Sequence, residues 1–245
     1  MKDLFSKQAS CYAAFRPTYP KELYDFILSN VKLKECAWDC GTGNGQVARD
    51  LAPYFKNVKA TDSSVKQIEK ALKGPDIDYS VSAAERTPFK DSVFDLITVG
   101  QAIHWFNIDE FYKEVQRVGK QDALLAVWGY SLLKIDKPID ELVLDFYVNI
   151  IGPYWDSERK LVDQHYKTIP FLKDEISCPE FSFKFSWTIS ELQGYLSTWS
   201  SVQKYVQVNQ MDPVEDLIRK IRPLWKSEKV EIRFPLFMRC GRIRK

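Results

Sequence analysis

The chain has 245 residues, of which 45% are hydrophobic and 28% charged, and its formal net charge is +2. This length accommodates one large α/β domain or two small ones, and the composition excludes a disordered chain. The longest uncharged apolar stretch, residues 123–133, is too short to cross a bilayer, and no basic-then-apolar leader opens the sequence. We therefore expect a cytoplasmic protein that does not insert into membranes.

The cysteines and histidines argue against cross-links and metals. The five cysteines form no Cys-x-x-Cys pair, and the two histidines, His104 and His165, lie 61 positions apart with no carboxylate at a matching spacing. We expect reduced thiols and no metal site.

Positive charge is concentrated near the end of the sequence. Between residues 219 and 245 there are ten Lys or Arg against two Glu, a local charge of +8. Such a cluster suits an anionic partner, either RNA phosphates or an acidic substrate. The interpretation we favour is structural: the charges form a solvated helix face and protect an edge strand from pairing with other chains. The aromatic and basic interleaving of a nucleic-acid module is not recognisable there, and we expect no nucleic-acid partner.

Strand-like apolar runs alternate with segments of helical spacing in the first half of the chain. The predicted strands are Cys36–Cys40, 58–61, 79–81, 93–99 and 123–128. The predicted helices are 47–55, 65–72 and Ile108–Val118. This alternation predicts right-handed crossovers and a parallel sheet covered by helices on both faces.

The pattern changes after residue 128. Residues 139–151 and 159–169 are aromatic-rich amphipathic stretches, which indicate a helical insertion over the sheet. Phe181–Trp187 alternates with a period of two and predicts a strand, followed by a helix over 214–225. A last strand over 231–239 contains Pro235, which favours an edge position or a bulge. The prediction is therefore an α/β fold with seven strands, mostly parallel, and an antiparallel last strand.

A glycine-rich turn joins the first strand to the first helix. Residues 39–45 read Asp-Cys-Gly-Thr-Gly-Asn-Gly, at the place where an open parallel sheet has its ligand crevice. A phosphate-binding loop would need Gly-Lys-Ser or Gly-Lys-Thr, which is absent here. A dinucleotide turn would need a small residue at position 46, which is occupied by Gln46. The pattern is an acid followed by three alternating glycines.

Three further segments occur in a fixed order. Residues 12–20 read Tyr-Ala-Ala-Phe-Arg-Pro-Thr-Tyr-Pro, residues 84–89 read Ala-Glu-Arg-Thr-Pro-Phe, and residues 95–106 read Asp-Leu-Ile-Thr-Val-Gly-Gln-Ala-Ile-His-Trp-Phe. With the glycine turn, they resemble the class I S-adenosylmethionine-dependent methyltransferases. Within that class they are similar to the small-molecule branch of the trans-aconitate methyltransferase type, which is related to methyltransferase type 11. The resemblance covers residues 12–128 and fades beyond them, apart from a Thr-Trp-Ser stretch at 198–200.

The resemblance implies a Rossmann-like fold, S-adenosylmethionine as cofactor and a set of cofactor-binding residues. That set comprises Tyr12, Arg16, Asp39, Gly41, Thr42, Gly43, Asp62, Ser63, Ala84, Glu85, Gln101 and Ala102. The two acids have distinct tasks. Asp39 is suited to the cationic methionine end, directly or through water, and Asp62, at the end of the second strand, is suited to the two ribose hydroxyls, besides serving as a helix N-cap.

The other members of the set have more local roles. Ala84 and Glu85 would lie along the adenine, and Gln101 and Ala102 would line the floor beneath the methionine portion. Tyr12 and Arg16, on an N-terminal arm, would close over the cofactor. We divide the single predicted domain, residues 1–245, into an arm and helix (1–30), a cofactor-binding half (31–128) and a substrate-covering, sheet-completing half (129–245).

His104 and Trp105 are the candidate catalytic residues, because the resemblance places their loop where donor and acceptor meet. If the acceptor is a carboxylate, no base is needed; if it is a phenol, hydroxyl or amine, His104 is the leading base. We rank a role for His104 in orienting a neighbour or hydrogen-bonding the substrate slightly ahead of base catalysis. Other candidate wall or anchor residues for an acceptor are Trp128, Tyr130, Tyr154, Trp155, Arg159, His165 and Lys204.

The predicted function is therefore methylation of a small molecule, with O-methylation of a carboxylate in an organic acid preferred. The alternatives are C- or O-methylation of quinone-like or other biosynthetic intermediates and, as a weaker one, a noncatalytic protein that binds S-adenosylmethionine. An intact glycine turn and ribose acid argue against the noncatalytic alternative. An anionic acceptor and the oligomeric state are left open by the sequence.

Overall fold

The computed structural model describes residues 18–245, and over this range the chain forms a mixed sheet of eight strands. The strands are β1 (Cys36–Cys40), β2 (Asn57–Asp62), β3 (Ile77–Val81), β4 (Phe94–Gly100), β5 (Gly119–Tyr130), β6 (Asp174–Ile176), β7 (Phe181–Trp187) and β8 (Val230–Arg242). The first five pair in parallel in the order β3-β2-β1-β4-β5. β8 pairs antiparallel with β5 on one side and with β6 and β7 on the other. The predicted mostly parallel sheet with an antiparallel last strand is confirmed.

Nine helices accompany these strands in the same range. They are α1 (Lys21–Ser29), α2 (Gln46–Leu51), α3 (Val65–Glu69), α4 (Ile108–Val118), α5 (Lys137–Asp145), α6 (Arg159–Asp163), α7 (Ile189–Ser197), α8 (Ser200–Asn209) and α9 (Pro213–Ile221). Short 3₁₀ turns cover Ala52–Tyr54, Ile103–Trp105, Gly152–Tyr154 and Arg222–Leu224, and a π turn covers Phe146–Ile150. Within residues 18–245, no helix combines the length and the apolar character that a bilayer crossing requires.

Each face of the sheet has its own hydrophobic cluster. Ala37 and Leu96 point to one face and pack with side chains of α1 and α2, whereas Trp38 and Ile97 point to the other and pack with α4. Because successive strand residues alternate between faces, a strand covered on both faces must be apolar throughout, as Cys36–Cys40 is apart from Asp39. The prediction of helices on both faces is confirmed.

The structure differs from the predicted sheet in the strands around β8. β6 has three residues, too few for a recognisable alternation, and it raises the count from seven to eight. β8 is an interior strand, so the expectation of an edge position from Pro235 is wrong. The carbonyl of Pro235 accepts from the Ser131 amide at 2.9 Å, just beyond the end of β5. Since the amide and carbonyl of one residue point the same way, the missing N–H faces the end of β5 and not β7.

Several cations of the basic C-terminal region have acidic partners in the fold. Arg239 pairs with Glu175 at 2.8 Å, and Arg244 pairs with Asp122 and Asp174. These pairs connect β8 and the residues after it to β6 and to Asp122 of β5. They support the structural interpretation of the basic cluster over a nucleic-acid contact.

The chain between β5 and β8 supplies a largely helical layer. Four aromatic side chains within it, Tyr147, Trp155, Tyr195 and Trp199, form what we call the aromatic cluster. The ring centroids lie 5.1 Å apart for Tyr147 and Trp155, and 5.8 Å apart for Trp199 and each of the other three. Such distances are typical of tilted and edge-to-face packing, which gives the layer a rigid aromatic interior.

Candidate active site

A cavity of about 450 Å³ lies at the carboxyl ends of the parallel strands. The strand order reverses between β1 and β4, and the crevice at such a switch point is where open α/β sheets bind ligands. Its described lining residues are Gly41, Gly43, Asp62, Ser63, Ser64, Val65, Lys66, Gln67, Ser82, Ala84, Gly100, Gln101, Ala102, His104, Trp105, Phe106, Tyr130, Ser131, Leu132, Trp155, Asp156, Arg159, Tyr195, Thr198, Trp199 and Ser200. Nine of the residues predicted for the site are among them.

The glycine turn forms one wall of this cavity. Gly41, Gly43 and Gly45 have φ values of 70°, 56° and 83°, in the left-handed region that favours glycine. The amides of Gly41 and Thr42 both donate to the carbonyl of Thr61, at 2.9 Å each, and tie the turn to the end of β2. The turn therefore presents backbone, and no side chain from position 41 or 43, to a ligand.

Gly41→Ala is expected to destabilise the protein by about 2 kcal/mol or more. A left-handed φ costs an L-residue roughly 1–2 kcal/mol, and a Cβ at position 41 would also lie 2.6 Å from the Cβ of Ala102. Urea denaturation measures the change. Gly152→Ala is the matched control, because its added methyl would meet only the Tyr147 carbonyl at 3.6 Å. Equal midpoints for the two variants would contradict the strain assigned to the turn.

Asp39 lies beneath the turn and does not line the cavity. Its side chain is 1% exposed and accepts hydrogen bonds from the Thr42 hydroxyl, the Thr98 hydroxyl at 3.0 Å and the Ala48 amide at 3.2 Å. The β1–β4 register places Asp39 beside Thr98. Burial raises the pKa of Asp39 to about 6, against the lowering effect of these donors. Asp39 and Thr42 thus hold the turn and the start of α2 from within.

Asp62 reaches the cavity from the end of β2. One of its carboxylate oxygens accepts from the Gly43 amide and the other from the Ser64 amide, both at 2.9 Å. Each carboxylate oxygen has a second lone-pair direction, so the group is able to accept two further hydrogen bonds from a ligand. The N-cap of α3 is Ser64, not Asp62. Ser63 follows Asp62 in the same wall.

The loop after β4 forms the floor. Gln101 has a φ of 55°, an uncommon backbone conformation for a residue other than glycine. Two hydrogen bonds hold it there: its amide donates to the Trp128 carbonyl at 2.8 Å, and its side-chain oxygen accepts from the Tyr130 amide at 2.9 Å. Gln101 and Ala102 both line the cavity, and Trp128 is buried in the core and does not.

The remaining predicted cofactor residues divide between three places. Ala84 lines the cavity and is buried. Glu85 does not line it; its carboxylate accepts from the Asn107 amide at 2.8 Å, just before α4 begins. Tyr12 and Arg16 lie outside the described residues, so their roles stay predictions.

His104 and Trp105 both line the cavity, on the 3₁₀ turn that follows the floor. The imidazole of His104 is 7% exposed, and its Nδ1 lies 3.0 Å from the hydroxyl oxygen of Tyr166. Burial and the nearby Arg159 guanidinium lower the pKa of His104 to about 3. The imidazole is therefore neutral at physiological pH.

Arg159, at the start of α6, is the cation at the end of the cavity beside the aromatic cluster. Its Nε donates to the Tyr147 hydroxyl at 2.7 Å and lies 3.4 Å from a carboxylate oxygen of Asp163. Its guanidinium carbon sits 4.8 Å from the centroid of the Trp155 ring. Among the described residues, its two terminal nitrogens have no hydrogen-bond partner. The side chain is thus held at Nε and leaves its two terminal nitrogens, with four N–H donors, for a ligand.

Other anchors suggested by the sequence have structural partners. Lys204 pairs with Asp156 at 2.7 Å, and His165 lies 3.0 Å from the Ser131 hydroxyl. Neither Lys204 nor His165 lines the cavity, nor does Tyr154. The sequence reasoning missed Asp156, Tyr195 and Trp199 as lining residues; the Thr-Trp-Ser stretch at 198–200 was the available signal for Trp199.

Comparisons with known proteins agree with this arrangement. Residues 38–127 match a family described as a methyltransferase domain. A Dictyostelium discoideum protein named as a methyltransferase is 34% identical over 245 residues, covering 96% of this chain and 93% of that protein. The solved structure of an Anaeromyxobacter dehalogenans protein, named as a type II methyltransferase, is 32% identical with a TM-score of 0.87, covering 94% of this chain and 98% of that one. A Saccharomyces cerevisiae protein named as an S-adenosylmethionine-dependent methyltransferase is 25% identical over 132 residues, 50% of this chain and 45% of that protein.

The fold, the glycine turn and these relatives define a methyltransferase of the Rossmann-like α/β type. The chain belongs to the class I S-adenosylmethionine-dependent methyltransferases, and its cofactor is S-adenosylmethionine. The cavity suits this cofactor chemically: the turn brings backbone close to a ligand, and Asp62 offers acceptors for two hydroxyl donors. Membership of the trans-aconitate branch stays a prediction.

Proposed function

We propose that the protein transfers a methyl group to a carboxylate of a small organic acid bound in the cavity. The observation that carries this proposal is that Arg159 lines the cavity beside the aromatic cluster, and that its two terminal nitrogens have no hydrogen-bond partner among residues 18–245. A guanidinium presents its donors as a planar fork that matches a carboxylate, and such charge-assisted bonds are among the strongest in proteins. The only other cation lining the cavity within residues 18–245 is Lys66.

The two ends of the cavity suggest a division of labour. Gly41, Gly43 and Asp62 belong to the half over residues 31–128 that we assign to the cofactor. Arg159 and the aromatic cluster belong to the half over residues 129–245 that we assign to the acceptor. His104 and Trp105 line the cavity on the 3₁₀ turn after the floor, and the Arg159 charge acts on His104, so we assign the passage of the methyl group to this turn.

Methyl transfer of this kind is an in-line displacement, so alignment and exclusion of water are the main tasks of the protein. When bound, S-adenosylmethionine supplies the methyl group at its sulfonium. Arg159 would hold the acid, and the aromatic side chains would exclude water and tolerate the positive charge. The carboxylate oxygen would gain the methyl group as the bond from sulfur to methyl breaks, and S-adenosylhomocysteine would be the second product. No proton has to be removed from an ionised acid.

The test is a screen of small organic acids with the purified protein and S-adenosylmethionine. Release of S-adenosylhomocysteine and formation of base-labile methyl esters, followed by mass spectrometry, are expected for at least one class of acid. The primary amide of each active acid is the matched control, because it has the same shape without the charge. Turnover of the amides at the same rate as the acids would exclude the proposal.

The aromatic walls favour a second candidate, methylation of a planar ring at carbon or oxygen as in quinone-like intermediates. Trp155, Trp199 and Tyr130 offer flat surfaces to such a ring. The same screen, extended to phenols and hydroquinones, separates the two candidates: ring methylation gives base-stable products, whereas carboxylate methylation gives labile esters.

A further inference from the structure

The hydroxyl group of Tyr166 is deeply buried and has a single hydrogen-bond partner within residues 18–245. The Tyr166 side chain is 1% exposed, and its oxygen lies 3.0 Å from Nδ1 of His104. Among residues 18–245, no other hydrogen-bond acceptor lies within reach of this hydroxyl. A buried hydroxyl proton left without an acceptor is strongly disfavoured, so the O–H group donates to Nδ1.

This direction of donation determines where the imidazole proton lies. A neutral imidazole carries one proton, and a nitrogen that accepts a hydrogen bond cannot hold it. The proton is therefore on Nε2. That nitrogen has no partner among the described residues, and His104 lines the cavity on the 3₁₀ turn that follows the floor.

The charges around His104 keep it neutral. The groups that act on the ring are Tyr166, which follows α6, and Arg159, which begins α6, together with the burial of the ring itself. Arg159 repels a second proton, and no carboxylate in the described part of the chain contacts the imidazole. Protonation, which would make both nitrogens donors and break the bond from Tyr166, is opposed by every one of these neighbours.

The position of Tyr166 is itself tightly determined. His165 and Tyr166 have φ values of 53° and 57°, two successive left-handed residues that are not glycine. The Tyr166 amide donates to the Leu161 carbonyl at 2.8 Å, and its ring packs edge-on against Phe237 at 5.0 Å. Such a strained backbone persists only where the surroundings impose it. The hydroxyl is thereby fixed beside His104.

We propose that Tyr166 is a positioning residue that holds His104 as the Nε2–H tautomer, so that His104 donates a hydrogen bond to the acceptor and does not act as a base. An anionic acceptor would then meet two kinds of donor in the cavity, the guanidinium of Arg159 and the Nε2–H group of His104. The enzyme would select acceptors that are already deprotonated in solution and reject alcohols and protonated amines, which must first lose a proton to a base. The nature of the acceptor rests on the proposed function, but the tautomer does not.

Nuclear magnetic resonance of the protein labelled with ¹⁵N-histidine tests the tautomer directly. The chain has two histidines. A His165→Gln variant without a histidine tag therefore contains His104 alone, and its spectrum assigns the His104 signals. We expect the two His104 nitrogen shifts of an Nε2–H imidazole, unchanged between about pH 5 and pH 8. An Nδ1–H pattern, or a titration near the ordinary histidine pKa, would overturn the proposal.

A variant pair tests the role of the hydroxyl. Tyr166→Phe keeps the ring and removes the donor, and we expect a mixture of tautomers at His104 and an acceptor KM about tenfold higher, with cofactor affinity unchanged. Tyr112→Phe is the matched control, because the Tyr112 hydroxyl is buried and has no hydrogen-bond partner in the described part of the chain. The wild-type rate should not rise through any pKa between about pH 6 and pH 9. A rise that is lost in a His104→Gln variant would identify His104 as a base and refute the inference.

These outcomes separate this inference from the proposed function. An Nε2–H imidazole in a protein that esterifies no acid leaves the tautomer standing and removes the carboxylate acceptor. An Nδ1–H or titrating imidazole in a protein that esterifies acids removes the proposed tautomer and leaves the carboxylate acceptor standing.

Discussion

Replacing Arg159 with glutamine should raise the KM for the acceptor acid by about 100-fold, because hydrogen bonds to a charged partner contribute roughly 1.5–3 kcal/mol. Arg159 lines the cavity, and its hydrogen bond to Tyr147 and its ion pair with Asp163 both use Nε, among the residues that the structure describes. The affinity for S-adenosylmethionine should be unchanged, since the residues suited to the cofactor lie at the other end of the cavity. Arg159→Lys should recover only part of the loss, because an ammonium keeps the charge but not the planar fork. Steady-state kinetics with the best acid from the screen measure these changes.

The matched control is Arg219→Gln. The Arg219 side chain is exposed on α9 and pairs with Asp216 at 2.9 Å. Arg219→Gln should leave the acceptor KM and the affinity for S-adenosylmethionine unchanged, because exposed ion pairs contribute little. If Arg159→Gln also bound the acid normally, the anion site would have to be sought elsewhere.

The second large effect is expected at Asp62. Asp62→Asn should weaken S-adenosylmethionine binding by more than tenfold, about 1.4 kcal/mol, since an amide has a single acceptor oxygen where the carboxylate has two. Calorimetric titration measures this loss directly. A nicotinamide dinucleotide, titrated in parallel, should not bind.

Asp62 also holds the Gly43 and Ser64 amides, so its replacement requires a check of folding. A urea midpoint close to that of the wild type, with weakened binding, separates ligand recognition from loss of structure. Asp78→Asn is the control: Asp78 is an exposed acid of β3 that pairs with Lys59. Undiminished cofactor affinity in Asp62→Asn would remove the ribose role.

The cofactor end of the site was largely predictable because its residues are close in sequence and follow strands. Asp39, the glycines and Asp62 come at the carboxyl ends of β1 and β2, and adjacent parallel strands end at the same edge. Sequence alone did not reveal that Asp39 lies beneath the turn and that Asp62 lies in the cavity wall. That difference depends on which way each side chain leaves its strand and on what covers it.

The acceptor end was less predictable because it is assembled from distant segments. Arg159 appeared in the sequence as one cation among many, and Tyr166 was not recognised as a site residue. The contact between His104 and Tyr166 joins residues 62 positions apart, and it depends on a backbone in the left-handed region at position 166. Local patterning does not encode such contacts.

The sequence by itself determined the parallel half of the sheet, the place of the ligand crevice and the family, because strand alternation and the glycine turn are local properties of the chain. Tertiary structure alone decided that β8 is an interior strand, that Arg159 lines the cavity with no partner for its two terminal nitrogens among residues 18–245, and that Nδ1 of His104 meets the Tyr166 hydroxyl. The physical reason is that burial and hydrogen-bond partners are set by elements that meet only after folding, and these decide whether a polar side chain supports the fold or faces a ligand.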